Sequence, residues 1–175
     1  MLLRIVLFFL FITSAQAEKI GIYFGTFDPP HLGHTDVIVS ARHAFELNRV
    51  LVYVNVEVLF KPDASSFEDR FNMATLAFAP IPRVELVTPP ILRRDIVGRT
   101  YASYLEAYAT LHPNDDVYVL YGSDAYETRF GGRIGEESAR APQARNLRIA
   151  VNSRDGSPIQ RFEGVTVYDF PSLRR

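Results

Sequence analysis

The sequence predicts an α/β domain: a Rossmann-like three-layer sandwich with a mostly parallel sheet. Strand-like and helix-like patterns alternate along the chain, the order that joins parallel strands through covering helices. At 175 residues the chain suits one domain with a sizeable core. An apolar fraction of 47% beside 22% charged residues is ordinary for a soluble globular protein.

The first strand is expected at residues 20–24, an apolar run of Ile, Gly, Ile, Tyr and Phe that stops at Gly25. Over residues 32–47, Val37, Ile38, Ala41, Ala44 and Phe45 recur at helical spacing. Residues 50–54 read as the second strand. Ser65 or Ser66 then caps a helix with Glu68 and Asp69 in its first turn and Phe71, Met73, Ala74 and Ala77 behind them, and Pro80 and Pro82 end it. Residues 84–87 form a short strand closed by Pro89 and Pro90. Residues 100–111 form a helix with Tyr104, Leu105 and Tyr108 on one side, stopped by His112-Pro113-Asn114-Asp115. Residues 116–121 are the clearest central strand and end in Gly122-Ser123-Asp124. Residues 128–146 are polar and rich in Gly and Arg, which predicts a mobile surface loop. Strands at 147–152 and 165–168 complete the set. There is no internal repeat and no low-complexity tract.

Seventeen residues precede this pattern. Met1-Leu2-Leu3-Arg4 makes a positive start, residues 5–12 are an unbroken apolar run, and Ser14-Ala15-Gln16-Ala17 offers an A-x-A cleavage site. That is the layout of a secretory signal peptide and too short for a membrane-spanning helix. Residues 1–17 are therefore expected to be a leader and 18–175 the domain, exported to a periplasmic or secreted location with no stable membrane anchor after cleavage. The formal charge of −1 gives no basic footprint for nucleic acid. No cysteine is present, so no disulfide framework is needed. Nothing in the sequence fixes the oligomeric state.

Chemistry concentrates in residues 25–34, G-T-F-D-P-P-H-L-G-H. A buried strand that breaks at a glycine and leads through a proline-stiffened loop into a helix is an arrangement for holding phosphates. Gly25 is expected to allow a sharp turn and a close backbone approach to an anion. Pro29 and Pro30 stiffen the loop and remove two N–H groups. His34 falls in the first turn of the helix, where the dipole favours negative charge. His31 and His34 have no cysteine or third ligand at usual spacing, so no metal centre is expected.

This block resembles the nucleotidyltransferase superfamily marked by a H-x-G-H signature. Within it, the match is nearest the nicotinate/nicotinamide-nucleotide adenylyltransferases, whose first motif reads much like G-T-F-D-P-x-H-x-G-H. The resemblance implies transfer of AMP from ATP, with Mg²⁺, to a nucleotide-like phosphate acceptor. His34 would contact the α-phosphate, His31 the oxygens beside it, and Lys61 a substrate phosphate, making these the catalytic candidates. Gly25, Thr26 and Phe27 of the same loop would line the nucleotide, Thr26 through its hydroxyl and N–H. Arg70 matches a family arginine and is expected to pair within its helix or to a neighbouring loop.

Further along, Gly122-Ser123-Asp124 resembles the family's G-x-D turn against the nucleotide, although a plain helix start capped by Ser123 or Asp124 also accounts for it. Thr100-Tyr101-Ala102-Ser103-Tyr104-Leu105 partly matches a Y-T-x-x-T-L element, with Ala102 and Tyr104 in place of its threonines. Ser153 and Arg154, in Asn152-Ser153-Arg154-Asp155-Gly156, resemble an S-R-x-G segment on the nucleotide side. The family's closing motif, like I-S-S-T-x-I-R, is missing or degenerate, since the last residues read Asp169-Phe170-Pro171-Ser172-Leu173-Arg174-Arg175. The partners implied are small-molecule nucleotides. Two other readings stay open: a nucleotide-binding protein without turnover, and a cytidylyl-transferring branch member.

Overall fold

The computed structural model describes residues 16–56, 58, 61–87, 101–131, 141–153 and 156–173. Nearly all of the expected leader, the Pro89-Pro90 stop, Thr100, Arg154 and Arg175 lie outside the described residues, as do residues 132–140 of the loop expected at 128–146. The elements run β1 (Lys19–Gly25), α1 (Leu32–Phe45), β2 (Arg49–Val54), α2 (Phe67–Phe78), β3 (Val84–Leu86), α3 (Tyr101–Leu111), β4 (Asp116–Gly122), α4 (Ser123–Phe130), β5 (Leu147–Ser153) and β6 (Val167–Pro171).

The strands form one sheet in the order β3-β2-β1-β4-β5-β6, and every pairing is parallel. The chain winds outward from β1 to β3, returns to the middle, and winds outward again from β4 to β6. The strand order therefore reverses between β1 and β4. In open sheets of this kind ligands bind at the carboxyl ends of the strands beside such a reversal.

Strand alternation gives each face its own core. Ile20, Ile22, Val117, Val119, Ile149 and Val151 point to the layer of α3 and α4, where they meet Tyr104, Leu105 and Tyr126. Val50, Val52, Val54, Leu120 and Ala150 point to α1 and α2, where they meet Val37, Ile38, Ala41, Ala74 and Phe78. Both faces being covered accounts for the near-continuous apolar strands.

Two expectations need correction. Residues 123–130 are helical, where irregular structure was expected from 128. The helix carries no apolar stripe of ordinary length and is held by an aromatic cluster: Tyr126 is fully buried and packs beside Phe130, Phe162 and Tyr121. The last strand lies at Val167–Pro171, beginning two residues and ending three residues later than the segment predicted. Its register on β5 pairs Asn152 with Phe170 and brings that ring into the α1 core. Pro171 sits at the strand's final position, where a missing N–H is tolerated.

Candidate functional site

The loop between β1 and α1 is built around one ring. Phe27 takes a left-handed backbone (φ 53°) and folds its side chain back beneath Gly25, where it is 1% exposed. It packs edge-on against Phe78 at 5.2 Å and Tyr23 at 5.5 Å. A Cβ placed on Gly25 would stand 2.5 Å from the ring. Gly25 is thus dictated by the approach of Phe27, not by a sharp turn of its own, which corrects the sequence reading. It remains the last residue of β1, and its carbonyl accepts from Asn55 N–H at 2.9 Å. Phe27 serves the site from below: its ring meets His34 edge to face at 5.0 Å.

His31 is the N-cap of α1, with extended backbone angles. Its Nδ1 accepts from Gly33 N–H at 3.1 Å, and the Nδ1 of His34 accepts from the N–H of His31 at 3.1 Å. The two rings stack with centroids 3.8 Å apart. An imidazole that accepts through Nδ1 carries its neutral-state proton on Nε2. Two Nε2–H donors therefore come together at a helix start whose first turn holds no acidic residue. Dipole, orphan N–H groups and imidazole donors all favour an anion there.

Beneath this loop lies a residue whose full role the sequence reading did not reach. Arg70, on α2, is 2% exposed and directs its guanidinium at main-chain carbonyls of neighbouring segments. Nε donates to Ser65 O at 2.9 Å, one terminal nitrogen to Thr26 O at 3.1 Å and Asn55 O at 2.7 Å, and the other to Val56 O at 3.4 Å. Burial pushes this guanidinium below its ordinary pKa, and the negative charge of Asp28 works the other way. Asp28 Oδ2 accepts from Ser65 N–H at 2.8 Å. That bond holds the Asp28 carboxyl below its usual range, and the charges of Arg70 and Lys61 add to the effect. Lys61 itself is exposed. Thr26 is half-buried, with its carbonyl taken by Arg70.

At the end of β4 the helix cap is Gly122, which has no side chain to cap with; Ser123 and Asp124 are the first helical residues. The expectation of Ser123 or Asp124 as cap is corrected accordingly. Gly122 pairs with Asn152 across the β4–β5 ladder. Asn152 is fully buried; its amide donates to Phe170 O at 3.4 Å, and its Oδ1 has no partner among the described residues. Ser153 Oγ donates to the same carbonyl at 3.5 Å. Of the partly matched 100–105 element, Ala102, Tyr104 and Leu105 are core residues. Tyr104 shares a hydroxyl hydrogen bond with Tyr53, and Phe24 stacks on Tyr53 at 4.8 Å. That cluster lies on the sheet face opposite α1.

One buried polar group was missed. Asp36, 5% exposed, accepts from Ser40 Oγ at 3.1 Å and from Ser172 Oγ at 2.5 Å, while Leu173 N–H donates to Ser40 Oγ at 3.0 Å. Ser172, in the last residues where the family's closing motif is missing or degenerate, is tied to α1 at Asp36, two residues from His34. A signal for both buried charges was present. Arg70 shares a helical face with Ala74 and Phe78, and Asp36 adjoins Val37 and Ile38. A charge inside an apolar stripe must be satisfied by the fold. Among the described residues there is no group of three metal-ligating side chains. An open groove of about 490 Å³ between α4 and the 160–162 segment includes Asp124 but none of the histidine-loop residues.

A family model described as Cytidylyltransferase-like matches residues 22–160. The probable nicotinate-nucleotide adenylyltransferase of Thermus thermophilus is 34% identical over 143 residues, covering 81% of this chain and 73% of the relative. That of Solibacter usitatus is 31% identical over 159 residues, covering 89% and 80%. A Plasmodium falciparum nicotinic acid mononucleotide adenylyltransferase complexed with APC shares the fold, with a TM-score of 0.61 at 20% identity over 89% of this chain and 76% of that one.

The cap geometry makes a prediction. His31→Ala should lower unfolding free energy by about 0.5–2 kcal/mol in urea titration, whereas His31→Asn, which restores a capping oxygen, should recover most of it. Equal losses in both variants would mean that Nδ1 does not cap α1.

Proposed function

The chain belongs to the cytidylyltransferase-like family, and from that premise we propose that it transfers AMP from ATP to a nicotinate or nicotinamide mononucleotide-type acceptor, releasing pyrophosphate. The observation that carries the reading is the pair of stacked imidazoles with both Nδ1 atoms engaged at the start of α1. Curated relatives named as nicotinate-nucleotide adenylyltransferases favour adenylyl over cytidylyl transfer and supply the acceptor class.

In this reaction a phosphate oxygen of the acceptor attacks the α-phosphorus of ATP. The new P–O bond forms as the bond to the bridging oxygen of pyrophosphate breaks, and no covalent enzyme intermediate is required. The protein must align two polyanions and stabilise charge growing on the α-phosphate. His34 donates Nε2–H to an α-phosphate oxygen, and His31 donates beside it. Thr26 offers hydroxyl and N–H from the loop, and Lys61 holds a substrate phosphate. Gly122, Ser123 and Asp124 flank the nucleotide at the end of β4, with Ser153 at the end of β5 and Arg154 next to it in sequence. Mg²⁺ would come with the triphosphate as the nucleotide's own ion, because the two carboxylates nearest the histidines in sequence are already engaged, Asp28 by Ser65 and Asp36 by Ser40 and Ser172. The charged start, apolar run and A-x-A site support export with cleavage after Ala17.

With ATP, Mg²⁺ and nicotinate mononucleotide, the full chain should release pyrophosphate. His34→Ala should lower kcat by about 10²-fold or more, as for the loss of an oxyanion donor, while Lys61→Ala should mainly raise KM. Turnover that survives His34→Ala, or no pyrophosphate despite measured ATP binding, would contradict the assignment. For export, protein recovered from expression with its own leader should begin at Glu18 by mass spectrometry; an intact Met1 in the exported pool would refute it.

A further inference from the structure

We propose that Asp28 and Arg70 act together as a clamp that fixes Lys61 relative to the histidine pair, making both of them positioning residues. The proposal rests on the adenylyl-transfer reading and goes beyond it, by naming what sets the distance between the two halves of the site. Lys61 lies on a segment far from His31 and His34 in sequence, and an exposed lysine on a free loop would reach a phosphate only by chance of conformation.

The geometry removes that freedom at Ser65. Its N–H donates to Asp28 Oδ2 at 2.8 Å, and its carbonyl accepts from Arg70 Nε at 2.9 Å. Both faces of one residue are therefore held by side chains that also belong to, or grip, the histidine loop. Asp28 is part of that loop, three residues before His31. Arg70 donates to the carbonyl of Thr26 in the same loop, and to Asn55 and Val56 just past β2. From Ser65 the constraint passes back to Lys61 through a short turn, in which Ala64 N–H donates to Lys61 O at 3.2 Å. Forward from Ser65, Ser66 caps α2 by accepting from Asp69 N–H at 3.1 Å. Lys61 is near enough to Asp28 for its charge to act on that carboxyl.

The choice of arginine is informative. Its planar fork can meet carbonyls on several segments at once, which the single ammonium of lysine cannot. An apolar side chain would pack as well beside Ala74 and Phe78 without burying a charge. The guanidinium is explained by what it holds in place.

The test is a double-mutant cycle on the full chain, with kcat and KM for ATP and for nicotinate mononucleotide, and with Kd for each by titration calorimetry. Asp28→Ala should raise KM for the substrate whose phosphate Lys61 holds by about tenfold, with kcat changed by less than about threefold. Asp28→Asn keeps an oxygen for Ser65 N–H and should stay within about threefold of the wild type. In the Lys61→Ala background Asp28→Ala should add less than about twofold, because the clamp acts through Lys61. Arg70→Lys should move KM in the same direction; should it fail to fold, the Asp28 cycle alone decides. Full multiplication of the Lys61 and Asp28 effects, or equal effects of Asp28→Ala and Asp28→Asn, would overturn the clamp while leaving adenylyl transfer standing. Absent turnover with ATP still bound would overturn the reaction, and the cycle in Kd would then judge the clamp. A chain that binds neither nucleotide overturns both.

Discussion

The crossed hydrogen bonds of His31 and His34 are the constraint on which the site depends. One pair of side chains caps α1 through Nδ1 and, in the function proposed, presents Nε2–H to an anion, so folding and binding would use opposite nitrogens of the same rings. The contrast with α2 shows why imidazole suits the task. There Ser66 caps the helix, and Glu68 and Asp69 in the first turn neutralise its dipole. An acidic cap on α1 would place negative charge where the proposed reaction brings a triphosphate. Imidazole accepts from the backbone at one edge and donates at the other, satisfying the helix without cancelling its field.

The rest of the fold serves that geometry. The reversal of strand order between β1 and β4 leaves a crevice at the carboxyl ends of the central strands, and the histidine loop leaves β1 at its rim. Phe27 anchors the loop to the α1–α2 core and supports His34 from beneath, at the condition that residue 25 carry no Cβ. Arg70 ties the carbonyls at the end of β1 to those past β2. A buried guanidinium is tolerated because its donors meet carbonyls and Asp28 lies near. On the far side, Asp36 binds Ser40 and Ser172 and so joins α1 to the segment after β6.

Local periodicity made most of the architecture legible. β1, β2 and β4 are apolar runs buried on both faces, α1 has its stripe at Val37, Ile38 and Ala41, and Ser66 announces α2. The G-T-F-D-P-P-H-L-G-H block marked the histidine loop as the candidate site because glycine, prolines and histidines there follow a strand. What escaped was set by contacts distant in sequence. α4 is held by rings from β4 and from Phe162, and β6 takes its register from β5. The reason for Gly25 is a ring two residues ahead that folds back under it, which no spacing rule reveals. Arg70 pairs to a neighbouring loop as expected, but its particular partners could not be read, because they are backbone carbonyls, which have no sequence identity. Asp36 finds Ser172 across almost the whole length of the domain.

The central claim, that both histidines accept through Nδ1 and donate through Nε2–H to phosphate, is tested most directly by ¹⁵N NMR of the histidine side chains. His31 and His34 would be assigned by substitution, with His43 and His112 as controls. At neutral pH the rings of His31 and His34 should be in the Nε2–H tautomer, and their Nε2 resonances should shift on adding ATP while those of His43 and His112 do not. An Nδ1–H tautomer in either ring, or Nε2 resonances of the pair that stay in place at saturating nucleotide, would contradict the account.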